Sequence, residues 1–365
     1  MSETQLPQLW LQTNDDVAEL VPYLLGFEPE ESLVLAIFRG NRLQLTARAD
    51  LAQVRAPGEA EHLVGQIWGR YPDADAYLLA YTSDHQAGWT LLQRLSTYLP
   101  SAAVRQALLV DGDIWQSSDG DRGTVNRDGH IAAQAVGHGL QRHSSRAELT
   151  NSLASPPLTD SLARQVIDAL NDLPDDHDRT QLNSRFIALM RANLVSPDQT
   201  QKQPMTTAEA AQLGSLIDDH DFCTIALLSI TAENAPQHID LWRNVVNRIP
   251  APLAATPLYL LGMAAWAGHE GAIASIALDR CWQVSPDAGP IRSGPLFRVI
   301  EDVIPPSAWE GRRSRALAKA NPQIRAAVAD LTSTHSTSWE AISSPAPAPS
   351  RPATGPAPSS PSVSI

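Results

Sequence analysis

Cysteine is close to absent: Cys223 and Cys281 are the only two in 365 residues. Two thiols cannot build the disulfide framework of a small secreted fold, and they suit a reducing compartment. Positive charge is short as well, 27 Lys and Arg against 40 Asp and Glu, for a formal net charge of −13. That balance works against non-specific adhesion to DNA, RNA or anionic lipid, where a basic surface supplies most of the affinity. A long unbroken apolar run is also missing. The best candidate, 249–268, is cut by Pro250, Pro252 and Pro257. What is left after Pro257 spans about 16 Å as a helix, against a hydrocarbon core of about 30 Å. The start, Met1-Ser2-Glu3-Thr4-Gln5, has neither the positive n-region nor the apolar h-region of a secretory signal. Together these features predict a soluble, cytoplasmic protein with no membrane association.

Familiar catalytic and metal-binding patterns are lacking too. There is no Gly-x-Ser-x-Gly elbow, no Walker sequence and no His-Glu-x-x-His. Gly137-His138-Gly139 lacks the third glycine of a dinucleotide loop and does not follow a strand pattern. Asp111, Asp113, Asp119, Asp121 and Asp128 crowd one stretch. Set on an EF-hand template from Asp119, however, they leave Gly123, Thr124 and His130 where a ligand, the turn glycine and the bidentate Glu belong. His130, His138 and His143 do not share a helical face and have no cysteine beside them to complete a zinc set. Neither a metal nor a cofactor is expected.

What is present divides the chain into three textures. Residues 1–140 carry 9 basic and 18 acidic groups, 141–331 carry 17 and 21, and 332–365 carry one of each. The length fits two or three domains of roughly 150 residues. The first segment alternates strand and helix patterns: strands over 32–38, 42–50, 76–81 and 104–110, helices over 59–71 and 86–99, and a hairpin signal at Asp111-Gly112 leading to Ile114-Trp115. That order predicts an α/β domain with a mixed sheet under helical cover. The second segment reads as all helical. Leu162, Val166, Ile167, Leu170 and Leu173 form one apolar stripe; so do Leu182, Phe186, Leu189 and Met190, and so do Ile239, Trp242, Val245, Val246 and Ile249. Within it, 256–287 has the texture of one tetratricopeptide-like helical hairpin, with Gly268 and Gly271 at the turn and Trp266 and His269 as candidate protein-binding residues. The third segment holds seven of the 28 prolines among Ser and Ala, and a disordered tail is expected there.

The most distinctive stretch is Pro22-Tyr23-Leu24-Leu25-Gly26-Phe27-Glu28-Pro29-Glu30-Glu31-Ser32-Leu33-Val34. Gly26 supplies a left-handed residue just past a helix, Phe27 packs back on the last turn, and Pro29 bars continuation. This places Glu28, Glu31 and Ser32 at the mouth of the strand that follows, as candidate ligand-binding residues. Ser145 with Glu148 three later reads as a capping box, and Arg146 beside it is a fourth candidate, reaching toward that acidic junction.

The same stretch resembles the signature of an uncharacterised actinobacterial family, the domain of unknown function numbered 4192. A second match follows in order: Leu260-Leu261-Gly262-Met263-Ala264-Ala265-Trp266, then Gly271-Ala272-Ile273-Ala274-Ser275-Ile276-Ala277-Leu278, then Ile304-Pro305-Pro306-Ser307-Ala308-Trp309. The resemblance covers roughly residues 10–312 and implies no reaction. Relatives often carry cysteines just after the hairpin that here spans 109–116, whereas this chain has Ser117-Ser118-Asp119-Gly120-Asp121. A thiol or metal role for that loop has no support.

These features favour a non-catalytic interaction or adaptor protein with an unidentified protein partner. The alternative is an enzyme or small-ligand binder with its site in a cleft between the two domains. A third reading, weak nucleic-acid binding through Arg312, Arg313, Arg315, Lys319 and Arg325, runs against the net charge.

Overall fold

The computed structural model describes residues 13–40, 42–56, 58–137, 140–175, 177–194, 204–286 and 304–333. The tail expected beyond residue 331 lies outside them, apart from Thr332 and Ser333.

The N-terminal half is a mixed α/β unit. Helix α1 (Asn14–Leu25) opens with a reciprocal capping box between Thr13 and Asp16 and closes on Gly26, whose φ of 73° is left-handed. Strand β1 (Ser32–Arg39) and β2 (Arg42–Asp50) form a hairpin, followed by a short helix α2 (Leu51–Val54) and helix α3 (Glu59–Arg70). Then come β3 (Asp75–Tyr81), α4 (His85–Tyr98), β4 (Val104–Asp111), β5 (Ile114–Ser117), β6 (Arg122–Thr124) and α5 (His130–Gly137). The six strands lie in the order β2-β1-β3-β4-β5-β6, and only β3 and β4 run parallel. Helix α4 is the crossover that a parallel pair requires. The β4–β5 turn is Gly112-Asp113, with Gly112 at φ 58°.

Alternation along the strands makes two apolar faces. Leu33, Leu35 and Ile37 join Ala76, Leu78, Ala80, Ala107 and Leu109 under α2, α3 and α4, where Val64, Ile67, Leu91, Leu92 and Leu95 are buried against them. On the other face Val34, Leu79, Leu108, Val110 and Trp115 meet Val17, Ala18, Val21 and Leu25 of α1. Helix α5 covers the far side of α1 through Ile131, Ala132 and Ala135. There the buried Glu19 carboxylate accepts the Ala132 N–H at 2.8 Å.

The C-terminal half is helical: α6 (Arg146–Ser152), α7 (Asp160–Asn171), α8 (Arg179–Asn193), α9 (Thr207–Leu216), α10 (His220–Ser229), α11 (Ala235–Val246), α12 (Ala255–Ala267), α13 (Gly271–Val284), α14 (Trp309–Lys319) and α15 (Pro322–Ser333). Helix α12 has no polar face; every residue from Pro257 to Ala267 is buried. Such a helix belongs at the centre of a bundle, and α10, α11 and α13 pack around it. The expected hairpin is α12–α13. Its left-handed position is His269 (φ 66°), not either glycine. Gly268 serves close approach instead, since a Cβ there would sit 3.0 Å from Ala235 Cβ of α11. In and just after α7 the expected stripe holds for Val166, which is buried, and for Leu162, Leu170 and Leu173, which pack half-buried on the same core, but Ile167 faces solvent, 56% exposed.

The two halves share one core. Buried apolar residues of both halves, among them Val17, Phe27 and Val110 from the first and Leu149, Phe186, Trp242 and Leu261 from the second, belong to one cluster. An isolated bridge, Phe27 to His143, ties the connecting strip to the helix–strand junction.

Candidate functional site at the carboxyl end of the sheet

Because β1 runs antiparallel to β3, its first residue, Ser32, lies beside Tyr81, the last residue of β3, and Tyr81 in turn lies beside Val110 of β4. The junction read from the sequence is thereby delivered to the carboxyl end of the parallel pair, where open α/β sheets commonly hold ligands. Glu28 N–H donates to His143 O (3.0 Å) and His143 N–H to Gly26 O (2.9 Å), which brings the strip around residue 142 alongside.

On the α1 side the centre is Glu28. Its Oε2 accepts from Arg142 Nη1 at 3.2 Å and is also paired with Arg127 Nη1. Arg127 reaches on to Asp113 at 2.6 Å, and Arg142 lies 5.3 Å over the Tyr23 ring. The hydrogen bond that Arg127 donates to Glu28, outweighing partial burial, holds the Arg127 pKa above its ordinary value. Ser32 donates to Glu30 O (2.6 Å) and accepts from Arg48 Nε (2.9 Å), while Arg48 also pairs with Asp50 at 2.6 Å. Tyr81 is buried here, and its hydroxyl has no hydrogen-bond partner among the described residues. Burial, then the negative charge of Glu28, pushes its pKa well up, with Arg127 opposing. The phenol therefore stays protonated and is a standing donor.

On the α4 side Glu31 has a positive φ of 40°. Its carboxylate accepts from Thr82 Oγ1 at 2.6 Å and faces Arg55 at 3.5 Å; Arg55 lies 3.8 Å from Asp84. Asp84 caps α4 by accepting the Ala87 N–H (3.0 Å), and His85 Nε2 lies 2.9 Å from Asp111.

Three of the four sequence candidates, Glu28, Glu31 and Ser32, thus reach one end of the sheet, each on its own set of partners. The fourth does not join them: Arg146 pairs with Asp279 of α13 at 3.3 Å. Beside it Ser145 caps α6, accepting the Glu148 N–H, but Glu148 turns back to Ser144, whose N–H and hydroxyl it accepts at 2.7 and 2.5 Å. The box expected at Ser145 is therefore displaced by one residue on its return arm. Trp266 is buried, donates its indole N–H to Ile304 O (3.1 Å) and meets Trp309 edge-on at 6.2 Å. His269 is exposed at the hairpin turn.

Sequence reading missed Tyr81, Thr82, Arg48, Arg55, Arg127 and Arg142. None carries a local motif; only the strand ending at Tyr81 pointed to this place. Among the described residues no group of three His, Cys, Asp or Glu is arranged to hold a metal ion. His130 lies 3.5 Å from Asp16, His143 lies 3.8 Å from Glu148, and His138 is outside the described residues. Of the basic C-terminal cluster, Arg313 is engaged internally, donating to Leu228 O (2.7 Å) and Glu310 (3.0 Å). No helix among the described residues is long and apolar enough to cross a membrane.

Residues 15–289 match a family profile described as Domain of unknown function (DUF4192), and the chain belongs to that family. No curated protein and no solved structure matches it.

Proposed function

We propose that this member of the DUF4192 family is a non-catalytic interaction protein, its α/β and helical halves acting as one stiff body toward a protein partner. The observation that carries this reading is the shared core. An enzyme working in a cleft between the halves needs open space there. Instead, buried apolar residues of the two halves fall in one cluster, with Leu149 of α6 packed close to Gly26 at the end of α1. The charged groups beside them close on one another, Glu28 with Arg127 and Arg142, and Arg146 with Asp279. Arg142 ties the strip that follows the α/β half to the helix–strand junction, and Arg146 ties α6 to α13 within the helical half.

Partner contact falls to exposed apolar side chains, and two stand at and just before α7: Leu158 and Ile167, 62% and 56% exposed. Trp266, buried under Trp309, supports the hairpin from within. The reading places the protein in the cytoplasm, in keeping with two unpaired cysteines. Burial pushes the Cys281 thiol up to about 11, so it stays protonated at neutral pH.

The test is affinity capture of the tagged full chain after cross-linking in its native cells. A stoichiometric protein partner is expected, and the double variant Leu158→Asp, Ile167→Asp should lose it with stability changed by no more than about 0.5 kcal/mol per site. A full chain that retains no protein would overturn the reading.

A further inference from the structure

The charged cluster on the α1 side leaves one buried polar atom out. Tyr81 is 5% exposed, and its hydroxyl is unpartnered among the described residues. Such a group costs about 1–3 kcal/mol against one that is satisfied, and a native exception calls for an explanation. Its neighbours supply one. Tyr81 lies beside Ser32 across the β1–β3 pair and shares its buried cluster with Phe27, the residue before Glu28. Two guanidiniums, Arg127 and Arg142, converge on a single oxygen, Oε2 of Glu28. Two arginines on an oxyanion, with a hydroxyl donor at hand, is the donor set proteins use to hold a carboxylate or phosphate.

Here the oxyanion is the chain's own. We propose that this place is a seat for a small carboxylate or phosphate, which replaces the Glu28 carboxylate between Arg127 and Arg142 and accepts the Tyr81 hydroxyl. Entry is open at the rim: the side chains of Glu28, Arg142 and Arg127 are 19%, 25% and 31% exposed. Displacement leaves Arg127 its second partner, Asp113 at 2.6 Å, so the guanidinium stays oriented. Glu28, once released, needs only to turn into solvent, where its charge is well hydrated. The Tyr81 hydroxyl gains a charged acceptor, an interaction worth more than a neutral one. The seat stands or falls independently of the protein-partner reading.

The experiment is titration calorimetry of the full chain with inorganic phosphate and, separately, with acetate, at matched ionic strength. Three proteins are compared: the natural chain, Glu28→Gln and Tyr81→Phe. Saturable binding of one or both anions to the natural chain is expected, and the stronger of the two identifies the ligand's head group. Glu28→Gln removes the competing charge and should bind about tenfold tighter, while Tyr81→Phe should bind about tenfold weaker. Tyr81→Phe deletes only an unsatisfied hydroxyl, so its melting temperature should not fall; weaker binding then reports the lost donor, not a damaged fold. No saturable heat with either anion in the natural chain and Glu28→Gln, or unchanged affinity in Tyr81→Phe, overturns the proposal.

Discussion

Asp219 shows how much one side chain does in this protein. It caps α10 by accepting the N–H groups of Asp221 (2.9 Å) and Phe222 (3.3 Å), and it takes a two-pronged pair from Arg179, both arms at 2.7 Å. Arg179 in turn lies 4.5 Å over the Phe222 ring. The hydrogen bond from Arg179, more than the backbone bonds, holds the Asp219 carboxyl below its usual range against a partial burial that raises it. A folded value below the unfolded one means the contribution is complete above the ordinary aspartate range. It is lost as pH falls through the lower, folded value. Asp219→Ala should therefore cost about 1–2 kcal/mol at pH 7, most of it from the lost cap. In urea unfolding the gap between this variant and the natural chain should narrow as pH falls below the ordinary aspartate range. A gap that holds constant with pH would remove the charge from the account. Residue-scale features of this kind were partly legible in the sequence. The left-handed Gly26 and the Ser145 cap depend on neighbours within four positions. Glu28 was legible as a polar group at a strand mouth, but its partner Arg142 is 114 residues away. No local pattern encodes that pairing.

Elements were the most readable level, because their signal is periodic. The strand and helix spans expected between 32 and 110 match β1, β2, α3, β3, α4 and β4 within a residue or two. The alternation that predicted them also sorts their side chains onto two apolar faces. Less readable was the way elements touch. Strand β6 is only three residues long, yet its central Gly123 lets α1 and β5 meet across it. Trp115 donates its indole N–H to Asp15 Oδ1 at 2.6 Å, and a Cβ on Gly123 would crowd that carboxylate and sit 2.6 Å from the indole nitrogen. Gly123 needs no left-handed backbone, so sterics alone decide. Gly123→Ala should destabilise the protein by roughly 1–3 kcal/mol and shift the Trp115 indole resonance. A stability and an indole signal equal to those of the natural chain would contradict this contact. Ile167 illustrates the opposite limit: periodicity put it on the α7 stripe, but a stripe broader than the neighbour it packs against leaves its edge in water.

At the scale of the whole molecule, composition and charge separated the chain near residue 140, yet that strip is where the halves are fastened. His143 bridges to Phe27, and Arg142 reaches Glu28. Composition is blind to this, since a shared core needs the same apolar residue types as two separate ones. The continuous cluster from Val34 to Leu331 is the basis for reading the chain as one stiff interaction body instead of two lobes around a working cleft. Differential scanning calorimetry of the full chain tests that most directly. The account predicts one cooperative transition, with calorimetric and van't Hoff enthalpies in agreement. Two resolved transitions, one for each half, would contradict it.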